Sequence, residues 1–469
     1  MNNRSIENLI TATSGHIVGG RKCGGVFNRV EIDSRSIRAS DVFWAIRGDR
    51  RDGHDFTFDA LSNGAVACVV ERNRDTAAPG VHIQVDNTLI ALSDYSRWWR
   101  RQQSATVVGI TGSFGKTTTR EMLYGVLSQT GFGIRSRKNF NNHLGVPLSV
   151  LDMQANHTFA VLEIGASARG EVRQLSKIAE PQIGIVTGVG PAHLTGFGTV
   201  LIIAASKAEL IESLSSSGLA VLAGDDSHVR AMASHSNARV LFVGETEIND
   251  VRAQRVETTN EALSFEVDAH RYRVPASGRH HLTAAVVSVA LGREFGLSPR
   301  QIEEGLQQFR PANGRCHYRR IGSWHVIDDT YNSNPRSFEA ACQLLSGWSG
   351  ANQKILVTGD MLELGLAAEQ LHFEAGCAAA SANAGQVIAV GQNASHVIQG
   401  AQHAGMQTDQ TLACESVDDV IQALQDKLQP NDVILVKGSR GMKMDRVVDW
   451  LEMTELCPTR EKRALVRTS

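Results

Sequence analysis

The apolar positions of this chain follow two rhythms that alternate along most of its length. Short β-branched or aliphatic runs at 106–110, 159–164, 183–187 and 219–222 read as buried strands, and stretches with helical spacing separate them. Strand and helix in alternation predict a mainly parallel α/β sheet. Ahead of it, residues 42–46, 67–71 and 82–85 form shorter strand-like runs, and a helix is expected over 87–102. After it, residues 251–274 alternate with period two, as antiparallel strands do. Helices follow at 282–295 and 299–309, the second opened by Ser298-Pro299 as cap and first turn.

The turn-rich run Phe309-Arg310-Pro311-Ala312-Asn313-Gly314 interrupts the pattern. Beyond it the alternation resumes, with strands expected at 324–328, 355–358, 387–390 and 433–436, as in a second doubly wound sheet. The expected fold class is therefore α/β, in three domains spanning 1–103, 104–313 and 314–469. A length of 469 residues suits that number. The last dozen residues are charged and are expected to be loose.

A net charge of −2 argues against broad electrostatic binding to nucleic acid or to an anionic membrane. No apolar run is long enough to span a bilayer, and the polar opening Met1-Asn2-Asn3-Arg4-Ser5 predicts no secretory signal. Seven cysteines are scattered without a Cys-x-x-Cys pair, so neither a zinc site nor a disulfide framework is indicated. A reducing cytoplasm is the expected setting.

Chemistry enters at Gly112-Ser113-Phe114-Gly115-Lys116-Thr117-Thr118, between a strand and a helix. Glycines let backbone amides turn toward phosphate oxygens, and a helix N-terminus adds partial positive charge. Lys116 can reach terminal phosphates and the Thr117 hydroxyl can ligate Mg²⁺. Glu163 ends an apolar strand, where metal ligands belong in an open α/β sheet. His193 follows another strand through a Gly-rich turn and could complete a Mg²⁺ sphere, although imidazole is an uncommon ligand for so hard an ion. Lys207 lies on a helix expected over 204–214; taken alone it reads as a solvated lysine. The polar run 139–147, with Asn139 and Asn142, can form a hydrogen-bonding wall or a plain loop. Three polar strand ends occur in the third block: Asp328-Asp329-Thr330-Tyr331-Asn332-Ser333-Asn334-Pro335, Gly359-Asp360-Met361-Leu362-Glu363-Leu364-Gly365 and Lys437-Gly438-Ser439-Arg440-Gly441. Three on one sheet point to a site facing the nucleotide across a cleft.

With these motifs the chain resembles the Mur ligases, ATP-dependent enzymes that extend the cytoplasmic peptidoglycan precursor. The resemblance covers nearly the whole chain, and includes Asp33-Ser34-Arg35 and Asp52-Gly53-His54-Asp55-Phe56 near the N-terminus and His372 after the 360–365 motif. It implies a uridine-nucleotide domain at 1–103, a P-loop ATP-binding domain at 104–313 and a Rossmann-like ligase domain at 314–469. It implies that Gly112, Ser113, Gly115, Lys116, Thr117 and Thr118 hold ATP phosphates, and that Thr117 and Glu163 bind one Mg²⁺. His193 would serve a second metal position. Lys207 falls in Ser206-Lys207-Ala208-Glu209-Leu210, which matches a lysine that related ligases carbamylate with CO₂. Arg315 and Asp329 match residues that clamp ATP on closure. Catalytic roles fall to Lys116, Lys207, His193 and Asp329. Ser34, Arg35, Asn139, Asn142, Asn332, Asn334 and Lys437 fall to substrate.

The chain departs from the family at Ser113 and Phe114, where both positions are expected to keep offering backbone amides. It departs again at His281 and Ala284, where the family carries Asn. His281 takes the adenine-facing place. The implied substrates are UDP-muramoyl tripeptide and D-alanyl-D-alanine, joined through an acyl phosphate by a cytoplasmic monomer. Another ligase of the superfamily, a small-molecule kinase and a nucleotide switch remain as rival readings.

Overall fold

The computed structural model describes residues 4–19, 25–72 and 80–456. Among the described residues the N-terminal sheet has five strands. Val30–Glu31, Val42–Trp44, Ala67–Glu71 and His82–Val85 run parallel, and His16–Val18 closes one edge in the antiparallel sense. The helix Thr88–Arg101 begins at Asn87, whose side chain accepts from the Ile90 amide. Its last turn ties this unit to the next: Trp99 Nε1 donates to Met153 O at 3.0 Å, and Arg100 Nε donates to Ala179 O at 2.8 Å.

The central sheet has seven parallel strands, with Thr106–Thr111 between Phe159–Glu163 and Ile183–Val186. Strand order reverses here, so a crevice opens at the carboxyl ends. The strands are continuously apolar because both faces are covered. Lys116–Leu127, Leu282–Glu294 and Pro299–Gln307 cover one face; Glu171–Ala179 and Val200–Glu212 cover the other. Ser298 caps Pro299–Gln307 in a reciprocal box with Gln301.

Two expectations change. Residues 251–274 are not wholly an antiparallel unit. Val251–Arg252 pairs in parallel with the end of Arg239–Gly244 and extends the central sheet. Only Gln254–Thr258, Leu263–Val267 and His270–Val274 form the antiparallel ribbon, which buries Leu263, Phe265, Tyr272 and Val274. The helix bearing Lys207 is Val200–Glu212, earlier than 204–214, because Thr199 Oγ1 accepts from the Ile202 amide and starts it there.

The C-terminal sheet has six strands. His317–Ile321 lies antiparallel at one edge; Trp324–Asp329, Val433–Lys437, Lys354–Gly359, Gln386–Val390 and Thr411–Cys414 follow in parallel. The register pairs Asp329 with Lys437 and Lys437 with Thr358, so the three polar strand ends share one rim. The five described cysteines are free thiols; Cys23, Cys457 and the charged C-terminal tail lie outside the described residues. Among the described residues no helix is long and apolar enough to cross a membrane.

Candidate functional site

The phosphate loop is shaped by two glycines with positive φ. Gly112 (φ 148°) lies so near Thr187 that a Cβ would sit 2.2 Å from its hydroxyl oxygen. Gly115 (φ 80°) is the left-handed N-cap of Lys116–Leu127, a conformation L side chains disfavour. Lys116 Nζ donates to Gly112 O at 2.5 Å, curling back over the loop. Ser113 departs from expectation. Its amide donates to Gly188 O at 2.9 Å, and its hydroxyl donates to Gly190 O and accepts from the Gly190 amide. Ser113 therefore braces the loop against the 188–190 turn, and its N–H is not free for phosphate. The Phe114 ring packs on Gly188, where a Cβ would lie 2.4 Å from it.

Glu163 sits beside the loop because its strand pairs with Thr106–Thr111. Its Oε1 lies 2.8 Å from Arg120 Nη1, an ion pair with both side chains almost wholly buried, although the hydrogen bond of that Nη1 goes to the Lys138 carbonyl and Oε1 accepts none among the described residues. Arg120 also bonds Glu121 and the Lys138 carbonyl. Motif reading missed Arg120; the one available signal was its place four residues after Lys116, on the same helix face.

Across the crevice, Lys437 Nζ donates to Asp329 Oδ2 at 2.6 Å and to Asn332 O at 3.1 Å. Asp329 Oδ1 accepts from the Cys316 amide at 3.0 Å, and the Arg315 guanidinium lies 4.2 Å over the Tyr331 ring. Asn334 caps Pro335–Ser346, accepting from the Ser337 amide at 2.9 Å. Asn142 likewise accepts from the Leu144 and Gly145 amides. In the 360–365 motif, Asp360 accepts from the Gln392 and Asn393 amides, while buried His372 accepts from the Met361 amide through Nε2 and pairs its Nδ1 with Ala368 O.

One cavity of about 860 Å³ unites these parts. Gly112, Ser113, Gly115, Lys116, Thr117, Thr118, Glu163, His193 and Lys207 line it from the central unit, and Arg315, Asp329, Asn332, Asn334 and Lys437 from the C-terminal one. Asn139, Asn142 and His281 line it as well. Ser34 and Arg35 do not. Exposed Arg35 pairs with Asp33 at 2.7 Å on a 3₁₀ turn of the N-terminal unit, where Ser34 is buried and its carbonyl accepts from Asn63.

Burial dominates the electrostatics. It pushes Lys116 down to about 8, helped by the charge of Arg315 and opposed by Glu163. It pushes Lys207 to about 7, helped by Lys116 and opposed by Glu171 and Glu209. Lys207 Nζ lies 5.3 Å from the Phe197 ring centre. His193 has φ 54° and turns Nδ1 to the Glu363 carboxylate of the C-terminal unit, while the Thr195 amide donates to Glu363 O at 3.1 Å. The Thr117 hydroxyl and Glu163 carboxylate are the hard oxygen donors that Mg²⁺ prefers. The second expected position fits less well, since His193 already holds Glu363 and Lys207 is an amine. Among the described residues no group of three or more His, Cys, Asp or Glu is placed to hold a metal.

A phosphate loop at the switch point of one parallel sheet, facing the polar rim of a second, defines a nucleotide-dependent enzyme whose site is shared by two α/β units. Comparisons with known proteins specify it. Residues 26–99 match the model of the Mur ligase family catalytic domain, 110–292 the Mur ligase middle domain, and 314–440 the Mur ligase glutamate ligase domain. The chain belongs to the Mur ligase family. It is 32% identical to UDP-N-acetylmuramoyl-tripeptide–D-alanyl-D-alanine ligase of Bacillus subtilis, covering 95% of this chain and 97% of that one. The Escherichia coli enzyme of the same name is also 32% identical, over 91% and 94%. Among solved structures, MurF from Acinetobacter baumannii superposes with a TM-score of 0.87 at 29% identity, covering 97% of this chain and 99% of that one. MurF from Thermotoga maritima, solved with ADP, gives 0.81 at 28%, over 92% and 99%.

Proposed function

We propose that this enzyme joins D-alanyl-D-alanine to UDP-N-acetylmuramoyl-tripeptide at the expense of ATP, in peptidoglycan precursor synthesis. The observation that carries the reading is the single cavity in which the phosphate loop and the Arg315, Asp329 and Lys437 rim meet. The relatives bearing that activity in their names match 95% and 91% of this chain.

A carboxylate oxygen of the tripeptide attacks the γ-phosphorus of ATP, the bond to the β-phosphate oxygen breaks, and ADP departs. Lys116 and the loop amides stabilise the charge on the phosphoryl oxygens as it transfers. The dipeptide amine then attacks the acyl carbon, loses a proton, and phosphate leaves from the tetrahedral centre. Arg315 and the Asp329–Lys437 pair hold the cavity wall that faces this chemistry and keep water from the acyl phosphate. Thr117 and Glu163 would hold Mg²⁺, which when bound neutralises phosphate charge. Lys207 is buried beside the Lys116 charge, where an amine that takes up CO₂ would become an anionic ligand; His193 would join it once released from Glu363. Units at 1–103, 104–313 and 314–469 would move as bodies. Ser34 and Arg35 would meet the uridine end of the substrate, and Asn139, Asn142, Asn332 and Asn334 its peptide end. A monomer in the cytoplasm, where ATP and free thiols coexist, completes the proposal.

The test is an ADP-release assay over a panel of tripeptides and dipeptides. Release should require both the muramoyl tripeptide and D-alanyl-D-alanine, with an amide product. Release that ignores the dipeptide, or a phosphorylated product with no amide, refutes the reading.

A further inference from the structure

His280 and His281 stand at the start of Leu282–Glu294, the helix that packs on the phosphate-loop helix, and both line the cavity. All four of their ring nitrogens are buried, and among the described residues none has a hydrogen-bond partner. Packing alone holds the rings. Their centroids are 4.0 Å apart, and His281 meets Phe309 edge-on at 5.4 Å. Gly278, with φ 104°, lets His280 close in; a Cβ there would lie 2.4 Å from its Cε1. The pair is not a metal site, since no third ligand stands with it among the described residues. Buried polar atoms are kept without protein partners where a ligand supplies them. With the phosphates at the loop, the part of a nucleotide left to reach this wall is its base.

We propose that the His280–His281 pair reads the purine edge with unset tautomers, so that the nucleotide site accepts 6-oxopurine triphosphates, GTP and ITP, as well as ATP. This rests on the nucleotide site of the proposed function. The tautomer of a histidine is set by the partner of its other nitrogen, and neither ring has one. Burial keeps both rings neutral at pH 7: His280 is pushed to about 4, the nearby Lys437 adding to the effect and Asp329 opposing it, and His281 lies well below its ordinary value. Adenine offers a donor at N6 and an acceptor at N7, which one amide side chain meets bidentately; guanine offers acceptors at both O6 and N7. Two neutral imidazoles can present one acceptor and one donor, or two donors. A site with fixed polar groups rejects the wrong partner by about 10⁴–10⁵-fold; a pair free to switch loses that leverage.

The test measures kcat/KM with ATP, GTP and ITP in the full reaction, and displacement of a fluorescent ADP analogue by ADP, GDP and IDP without the amide substrates. GTP and ITP should fall within about 30-fold of ATP, and His281→Asn should raise the ATP-to-GTP ratio at least about fivefold by restoring a bidentate amide. A wild-type preference for ATP beyond about 30-fold, or a ratio that His281→Asn leaves unmoved, overturns the proposal. If His281→Asn does not fold, the wild-type ratio decides. Displacement ratios decide it too if the ligase reading itself fails, since they need neither amide substrate.

Discussion

Replacing Arg120 with Met tests whether the buried Arg120–Glu163 pair supports the carboxylate proposed to hold Mg²⁺. The side chains are 5% and 2% exposed and meet at 2.8 Å. Arg120 is also joined to Glu121 at 2.5 Å and to the Lys138 carbonyl, so it anchors the 135–138 segment as well. Removing one partner of a buried pair strands the other charge away from water and costs about 3–5 kcal/mol. Exchanging both partners for apolar groups of similar volume is close to neutral. Arg120→Met should therefore lower the urea midpoint steeply, while Arg120→Met with Glu163→Leu should recover most of the loss, because the cost lies in the stranded carboxylate. The Mg²⁺ concentration needed for half-maximal ADP release should also rise about 10–100-fold in Arg120→Met, the usual effect of losing a group that orients a ligand. A single variant within about 1 kcal/mol of wild type, or a double variant no better than the single, would show that the pair does not hold Glu163 in the way the distances imply.

Lys116→Ala should lower kcat/KM by about 10²–10³-fold through the lost phosphate clamp; near-normal turnover would refute that role. His372→Phe leaves the buried Met361 amide without its acceptor and should cost about 1–3 kcal/mol, with faster hydrogen exchange across 360–365; unchanged exchange would contradict it. His280 titrates near 4 in the fold, because of burial, against about 6.5 unfolded, so between those values the unfolded chain holds a proton that the fold does not. Stability should fall as pH drops from about 6.5 toward 4, by about 3 kcal/mol from this group, and His280→Gln should flatten that slope in urea titrations; a slope it leaves unchanged argues against a neutral buried ring.

What could be read without a structure was what is local. The phosphate loop is one continuous strand, turn and helix start, so the roles of Gly112 and Gly115 follow from spacing alone. The third-block motifs were visible as polar strand ends, yet the Asp329–Lys437 contact joins residues 108 positions apart and depends on which strands pair. Sheet order is the step that periodicity does not carry. In the sequence Arg120 is one more charge on a helix. It becomes the partner of Glu163 only when Phe159–Glu163 is set beside Thr106–Thr111, in a register that matches Ile110 with Glu163. His317–Ile321 and Arg239–Gly244 went unread for a related reason: much of each strand is only half-buried or exposed, so its apolar signal is weak. Ser113 shows the opposite limit. Its sequence position fits a phosphate loop, but the 188–190 turn claims its amide and hydroxyl, and that turn arrives from a strand more than seventy residues away. Motif matching therefore reaches the residues proposed to touch phosphate sooner than those that brace them. The same order applies at His280 and His281, where the informative fact is the lack of a hydrogen-bond partner among the described residues, which only packing reveals.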